Sequence, residues 1–186
     1  MIAPPARLEL ALAPTPLLRL DRLSRRLGVE LYVKRDDLTG LLESGNKVRK
    51  LEFLVGEALQ GGADTLITCG AADSNGCRAV AAAAARLGLR AVLVIRGERP
   101  AAYDGNLLLG RLLGAETRYC RDEQPGKLME IVAAEVRAGG GRPYVIPEGG
   151  AGELGALGYV ECAVELAAVD DLWSAYRGFK AWLAEP

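Results

Sequence analysis

Residues 41–52 read LLESGNKVRKLE, and this stretch determines how the rest of the chain is interpreted. A polar turn that contains Gly45 leads directly into a helical pattern, whose first turn contains Lys47. A helix start has unpaired N–H groups and the positive end of the helix dipole, so a cation is poorly placed there. Lys47 is therefore a candidate for an amine that loses its proton easily and forms a Schiff base with an aldehyde. The alternative is that Lys47, Arg49 and Lys50 form an ordinary solvated basic face.

Downstream of this stretch the sequence alternates between strand patterns and helix patterns. Helices are predicted over 46–60, 74–87, 103–113 and 127–138, and strands over 65–69, 91–95, 117–120 and 143–146. Strands that are apolar on both faces and alternate with helices are typical of a parallel sheet. The predicted fold class is therefore α/β, with a doubly wound parallel sheet and flanking helices.

The two ends of the chain show different patterns. Residues 17–27 repeat leucine at helical spacing and predict a helix, and 31–35 alternate as a short strand. After the Pro-Glu-Gly-Gly turn, a loop and then a helix from about Gly155 are expected. The stretch 170–186 predicts a helix with an aromatic face that serves as core or for docking, because four aromatic residues follow one another at spacings of three: Trp173, Tyr176, Phe179 and Trp182.

Composition excludes several classes of function. The net charge of −1 gives no electrostatic basis for binding nucleic acid or an anionic membrane. The chain has no histidine, so mechanisms and metal sites that need imidazole are excluded, and no metal site is predicted. No apolar run is long enough for a membrane span, and no signal peptide is evident. The four cysteines lack CxxC spacing and are interpreted as reduced, mostly buried thiols, so a cytoplasmic location is expected.

A second polar site is predicted at the end of the strand 65–69, where the sequence reads CGAADSNG over 69–76. In a doubly wound sheet, ligands bind beyond the carboxyl ends of the strands. Ser74 and Asn75 stand where the next helix begins, so backbone N–H groups and two short polar side chains converge there. The site has the size and donors for a carboxylate, and two small residues in this stretch let the backbone come close to a ligand. The alternative is that Ser74 is an ordinary helix cap.

Four segments carry a resemblance to a known family: SGNKVRKLEFL (44–54), GADTLITCGAADSNGCR (62–78), RPYVIPEGG (142–150) and GALGYVECAVELA (155–167). Together they resemble the D-cysteine desulfhydrase and 1-aminocyclopropane-1-carboxylate deaminase family. These are pyridoxal-phosphate enzymes of the tryptophan-synthase-β-like fold. The resemblance runs from about Pro14 to Val169, and the wording of the 142–150 segment is closer to the desulfhydrases.

The resemblance implies a role for each residue of the two sites. Lys47 falls on the family's Schiff-base lysine, which also moves the α-proton. Ser74 falls on the active-site serine near the substrate carboxylate, with Gly76 at the same carboxylate site. Asn75 falls on the asparagine beside the ring hydroxyl of the cofactor. The implied cofactor is pyridoxal 5'-phosphate and the implied substrate a small amino acid. For D-cysteine, α,β-elimination to sulfide, pyruvate and ammonia is expected.

Some residues depart from the family pattern. Asp73 places a negative charge beside the carboxylate site and should oppose an anionic substrate. Gly76 and Cys77 stand where the family has larger polar side chains, so a polar contact is expected to be lost at Gly76.

The resemblance also stops where the family's second half would begin, with its phosphate-binding loop. We therefore expect this chain alone to hold the cofactor weakly, and to be a homo-oligomer or to need a partner chain. The expected division is a large-domain segment (1–50), a small α/β domain (51–150) and a helical C-terminal segment (151–186). The alternative function is a non-catalytic, truncated paralogue that serves as a binding or assembly module.

Overall fold

The computed structural model describes residues 5–40, 42, 45–121 and 124–169. The predicted aromatic helix over 170–186 lies outside these residues. The described chain forms six strands: β1 (Leu17–Arg19), β2 (Tyr32–Lys34), β3 (Thr65–Gly70), β4 (Arg90–Arg96), β5 (Glu116–Cys120) and β6 (Pro143–Val145). It also forms six α-helices: α1 (Asp21–Leu27), α2 (Asn46–Gln60), α3 (Asn75–Leu87), α4 (Gly105–Leu112), α5 (Pro125–Ala138) and α6 (Glu153–Ala167). Short 3-10 helices cover Asp36–Leu38 and Glu148–Gly150.

The main sheet has four parallel strands in the order β5-β4-β3-β6. Along the chain, the strands first proceed outward from β3 through β4 to β5. The chain then returns through α5 and places β6 on the other side of β3. The sequence-based prediction of an α/β fold with a parallel sheet is confirmed. The order in which strands are added to the sheet therefore reverses between β3 and β6. Ligands bind beyond the carboxyl ends of the strands at such a point in sheets of this kind.

Alternate residues of the central strands pack against opposite layers of helices. Leu66 and Leu93 contact the layer built from α2, α3 and α4. Ile67 and Val92 contact α5 on the opposite face. Because successive side chains of a strand point to opposite faces, helices on both sides require strands that are apolar throughout. All six residues of β3 are buried, which is why the sequence pattern was unambiguous here.

The predicted helix over 17–27 is wrong in its first part. Residues 17–19 form β1, which pairs antiparallel with β2 so that Leu17 lies opposite Lys34. The helix α1 begins only at Asp21, where an acidic side chain in the first turn suits the helix dipole. The sequence does not show where the strand ends and the helix begins, because the leucine spacing of the whole stretch fits a helix. The strand forms only because it pairs with β2, which lies further along the chain. The helix ends at Gly28 in a left-handed conformation, as predicted.

Two glycines allow α6 to lie close to α2 and to the 3-10 helix Glu148–Gly150. A Cβ atom placed on Gly158 would lie 2.2 Å from the Arg49 carbonyl oxygen, and one placed on Gly155 would lie 2.2 Å from the Gly150 carbonyl oxygen. Helix α6 begins at Glu153, two residues before the predicted start. The close approach places α6 directly over the first two turns of α2, the helix that carries Lys47.

A buried ion cluster joins α2 and α6 to the N-terminal part of the chain. The Arg49 side chain is only 2% exposed and donates to Asp36 at 2.9 Å, to Glu165 at 2.7 Å and to the Thr15 hydroxyl at 3.0 Å. Lys34 forms a second ion pair with Glu165 at 2.5 Å. The interpretation of Arg49 as part of a solvated basic face is therefore wrong, because two carboxylates distant in sequence surround it.

Replacing Gly158 with alanine is expected to destabilise the fold by about 1–3 kcal/mol, because the helices must move apart to admit a methyl group. The midpoint of urea denaturation measures this change. Gly126 is the matched control, since it is also a helix glycine but has open space around it. Gly126→Ala should leave the midpoint unchanged or raise it, because alanine restricts the unfolded chain. Equal midpoints for the two variants would contradict the close packing.

Within the described ranges, no helix combines the length and the apolar character that crossing a membrane requires. The four cysteines are free and buried, as predicted. The division into segments at residues 50 and 150 stays a prediction.

Candidate functional site

A small pocket lies at the carboxyl edge of the sheet, where β3 and β6 meet. It is lined by residues of α2, β3, α3 and the turn after β6: Lys47, Leu51, Thr68, Gly76, Val80, Ile146, Gly149 and Gly150. This is the reversal point of the strand order, at which a doubly wound sheet has a natural crevice. The pocket therefore lies where the fold favours ligand binding.

The loop before α2 fixes the position of Lys47. Gly45 precedes the helix with φ of 109°, a conformation that L-residues with a side chain rarely adopt. Its N–H donates to the hydroxyl of Thr39 at 2.9 Å and to the Asp36 carbonyl at 3.0 Å. Thr39 is fully buried, so these bonds anchor the turn to the interior. Lys47 follows as the second residue of the helix, with its backbone held in place.

The Lys47 side chain extends between two glycines that come from different elements. Its Cε atom lies 3.9 Å from where a Cβ atom of Gly76 would be, and its Nζ atom lies 3.9 Å from the equivalent point at Gly149. In the part of the chain that the structure describes, no hydrogen bond or ion pair engages this amine. A half-buried amine flanked by two positions without side chains has room to react with a ligand.

Ser74 and Lys47 both lie close to Gly76. The Ser74 Oγ atom is 3.5 Å from the Cβ point of Gly76 and the Lys47 Cε atom is 3.9 Å from it, so the two side chains approach the same point. Ser74 also caps α3, because its Oγ accepts from the Cys77 N–H at 3.2 Å. The capping interpretation is therefore correct. It uses only an oxygen lone pair and leaves the hydroxyl hydrogen available to another acceptor.

Gly70, the last residue of β3, allows Ser74 to take this position. A Cβ atom at Gly70 would lie 2.6 Å from the Ser74 Oγ atom, much closer than non-bonded atoms approach each other. A larger residue at the end of β3 would therefore push the serine away from Lys47.

Asn75 is held from outside the pocket by Asn106 of α4. The Asn106 amide nitrogen donates to the Asn75 Oδ1 atom at 3.0 Å and to the Asp73 carbonyl at 2.6 Å. Arg78 in turn donates to the Asn106 Oδ1 atom at 3.1 Å. With its oxygen accepting from Asn106, the Asn75 side chain has its own NH₂ group left to donate.

An ion pair crosses the carboxyl end of β3. Arg96 at the end of β4 donates to Glu148, which follows β6, with one of the two bonds at 2.6 Å. These bonds lower the pKa of Glu148, so the carboxylate remains charged. The pair links the strands on either side of β3 and keeps an anionic group near the pocket neutralised. No feature of the sequence indicated it, because the two residues are 52 positions apart.

The cysteines beside the pocket are not candidates for a nucleophile. Burial raises the pKa of the Cys69 thiol to about 11. Burial also raises the pKa of the Cys77 thiol. Since the thiolate is the reactive form, both residues are interpreted as core side chains.

The structure therefore places three of the four predicted site residues around one point: Lys47, Ser74 and Gly76. Asn75 lies at the same helix start, in contact with α4. Sequence reasoning missed Thr68, Gly149 and Asn106. A glycine pair in the turn that follows a strand at the carboxyl edge is a usable signal for Gly149. Asn106 lies in a helix whose sequence gives no local sign of contact with Asn75.

The pocket residues fit a cofactor that carries an aldehyde. Lys47 supplies an amine for Schiff-base formation, and the two flanking glycines place no side chain beside it. Ser74 and the N-terminus of α3 supply donors for an anionic group. The described pocket lining contains one charged group, Lys47, so an anionic ligand meets no buried carboxylate there.

Comparison with known proteins agrees with this arrangement. The profile of a family described as "Pyridoxal-phosphate dependent enzyme" matches residues 8–176. A protein of Pyrococcus abyssi, provisionally named a 1-aminocyclopropane-1-carboxylate deaminase, is 52% identical over 155 residues, covering 82% of this chain and 46% of the relative. A D-cysteine desulfhydrase of Salmonella paratyphi B is 50% identical over 167 residues, covering 87% of this chain and 51% of the relative.

A crystal structure of an ACC deaminase homologue matches with a TM-score of 0.82 and 46% identity, covering 88% of this chain and 51% of that one. The chain thus spans about half the length of the relatives that it matches. The family profile extends over most of the chain and both relatives are at least half identical to it. The chain therefore belongs to the family of pyridoxal-phosphate-dependent enzymes.

Proposed function

We propose that this chain carries the lysine and carboxylate-binding part of an enzyme that acts on a small amino acid. The reaction is α,β-elimination from D-cysteine, which with one water gives sulfide, pyruvate and ammonia, or deamination of 1-aminocyclopropane-1-carboxylate, which also consumes one water. The observation that supports this most directly is the convergence of Lys47 and Ser74 on Gly76 at the carboxyl edge. When bound, pyridoxal phosphate supplies the electron sink for cleavage at the substrate α-carbon.

The residues of the chain have separate tasks in this proposal. Lys47 holds the cofactor aldehyde and moves the proton at the substrate α-carbon. The hydroxyl of Ser74 and the N–H groups at the start of α3 bind the substrate carboxylate. Asn75 would supply its NH₂ group as a donor to the ring oxygen of the bound cofactor.

The charge next to Ser74 restricts the substrate. Asp73 is exposed at the rim, directly before the serine. A carboxylate at this place repels substrates with a second negative group, such as acidic amino acids. A small substrate with a single carboxylate is therefore favoured, and this agrees with both D-cysteine and the cyclopropane amino acid.

The remaining parts of the proposal concern assembly and location. Relatives are about twice as long as the matched region, so a homo-oligomer or a partner chain is proposed to complete the site. A cytoplasmic location is proposed because four free cysteines suit a reducing compartment. We also propose that residues 1–50 and 151–186 belong to the large domain and 51–150 to the small domain of the family fold.

The test is to trap the cofactor on the chain. Purified protein is mixed with pyridoxal phosphate below one equivalent and reduced with borohydride, and the labelled lysine is identified by peptide mapping. We expect the label on Lys47. Adding D-cysteine or the cyclopropane amino acid before reduction should lower this label, because the substrate amine takes the place of the lysine. A label spread evenly over the lysines, unaffected by either amino acid, would disprove the proposed function.

Asn106 is proposed as a positioning residue for Asn75. Asn106→Ala should raise the cofactor concentration needed for half-maximal trapping by about 2- to 10-fold, the value of one hydrogen bond. The label should remain on Lys47, because that residue is not touched. Leu108→Ala on the same helix is the control, since Leu108 is 38% exposed and should change nothing. If Asn106→Ala and Leu108→Ala required the same cofactor concentration for half-maximal trapping, Asn106 would have no positioning role.

A further inference from the structure

Gly76 is a glycine that the fold itself does not require. It is the second residue of α3, and its φ lies outside the positive range that favours glycine. A Cβ atom built on Gly76 would have its nearest neighbour at 3.5 Å, an ordinary van der Waals distance. Alanine would therefore fit at this position. Because glycine loses more conformational freedom on folding than alanine, a glycine in a helix needs another reason.

The two other glycines that border Lys47 or Ser74 are required by the fold. Gly149 has φ of 64°, which a residue with a side chain rarely adopts. A Cβ atom on Gly70 would lie 2.6 Å from the Ser74 Oγ atom, so packing excludes a side chain there. Backbone conformation or packing thus accounts for both of these glycines, and neither accounts for Gly76.

The space beside Gly76 lies against both groups that the proposed function uses. The point where a Cβ atom would stand is 3.5 Å from the Ser74 Oγ atom and 3.9 Å from the Lys47 Cε atom. In the proposed function, Ser74 binds the substrate carboxylate and Lys47 moves the proton at the substrate α-carbon. The carboxylate is bonded directly to that α-carbon, so both residues act on neighbouring atoms of the substrate. A side chain at position 76 would therefore stand beside the substrate α-carbon.

We propose that Gly76 determines how large a substituent the substrate α-carbon can carry, an inference that rests on the proposed function. The space that a side chain would fill at this position is used by the substituent of the amino acid. D-Cysteine carries a thiomethyl group there, and the cyclopropane amino acid carries two ring carbons. Free glycine has no such substituent, so it does not need the space and serves as the reference ligand.

The test compares Gly76→Ala with Gly126→Ala. Gly126 is the matched control, because it is also the second residue of its helix and has open space around it. Without added cofactor, both variants should have the urea midpoint of the wild type or a higher one, since alanine restricts the unfolded chain. A lower midpoint for Gly76→Ala would overturn the inference, because the fold itself would then require this glycine.

Ligand size is tested with the borohydride assay, as the amino-acid concentration that halves the pyridoxyl label on Lys47. For Gly76→Ala this concentration should rise about 10-fold with D-cysteine, the usual effect of one methyl group in a fitted site. It should stay at the wild-type value with free glycine. Gly126→Ala should match the wild type with both amino acids. Reaction between cofactor and amino acid in free solution is the same for all proteins, so only differences between them report on the site.

Gly76→Ser separates the effect of volume from that of polarity. If space decides, serine should raise the D-cysteine concentration as alanine does. A serine variant that needs no more D-cysteine than the wild type would overturn the inference, because a polar contact would then matter more than space. Equal D-cysteine concentrations for Gly76→Ala and Gly126→Ala would overturn it as well. The absence of label on Lys47 in the wild type would instead disprove the proposed function, and this inference with it.

Discussion

Replacing Lys47 with alanine is expected to reduce the borohydride-stable pyridoxyl label to background. Lys34 is held in an ion pair with Glu165, and Lys50 donates to the Gly149 carbonyl at 3.2 Å. Lys47 is half-buried and lies between two glycines, so neither of these neighbours places a side chain over its amine. Loss of this one amine therefore removes the covalent attachment. Labelling at less than one equivalent of cofactor, followed by peptide mapping, measures the effect.

The matched control is Lys127→Ala. Lys127 is exposed on α5, on the other face of the sheet, so its removal should leave the label on Lys47 intact. Should Lys47→Ala retain the label at the level of this control, the assignment of Lys47 as the attachment point would be wrong. Because Lys47 is not part of the buried ion cluster, the urea midpoint of Lys47→Ala should stay close to that of the wild type.

Replacing Arg49 with alanine is expected to cost about 3–5 kcal/mol, which is the usual penalty for removing one partner from a buried ion pair. Asp36 and Glu165 would then face each other without the guanidinium between them. Domains of this size are stable by only about 5–15 kcal/mol, so the variant would lose a large share of its stability. The urea midpoint measures the change, with far-UV circular dichroism to detect a chain that no longer folds.

Arg118→Ala is the control for Arg49→Ala, because Arg118 forms ion pairs with Glu116 and Glu135 at the surface. Exposed ion pairs contribute little to stability, so its midpoint should hardly move. A midpoint of Arg49→Ala equal to that of Arg118→Ala would show that the buried cluster does not stabilise the fold.

The same cluster predicts how wild-type stability depends on acid. Burial favours the neutral form of Glu165, but the hydrogen bonds from Arg49 and Lys34 outweigh it and lower the pKa to about 2. The ordinary pKa of this side chain is 4.5. The stabilisation from Glu165 is therefore fully present above pH 4.5 and is lost as the pH falls towards 2. Urea midpoints measured over this range should decline in the wild type.

The parallel sheet could be predicted from sequence because each strand carries its own signal. Residues of β3 and β4 are apolar on both faces, and this pattern is local to the strand. The position of β6 beside β3 could not be predicted in the same way. The position of β6 depends on α5 packing across the opposite face of the sheet, and contacts between residues far apart in the sequence determine this packing. The strand β1 was missed for a related reason, since only its pairing with β2 distinguishes it from the leucine-rich helix that follows.

The candidate site was predictable in its two polar motifs but not in the residues that hold them. Lys47 and Ser74 stand at helix starts, which have recognisable local patterns. The burial of Arg49 has no local sign, because its partner Glu165 lies 116 residues away. Likewise, Asn106 contacts Asn75 only because α4 packs beside α3. Sequence patterns thus identify groups that react, whereas long-range contacts decide how those groups are oriented.

The strand order β5-β4-β3-β6 has a consequence for how the protein is made. While a ribosome synthesises the chain, β3 emerges early, and one of its edges stays unpaired until residues 143–145 are available. The Arg49 guanidinium likewise lacks its second carboxylate until Glu165 has left the exit tunnel. An open strand edge invites pairing with other chains. We therefore expect the nascent protein to depend on a chaperone during this interval, and the finished protein to do so much less.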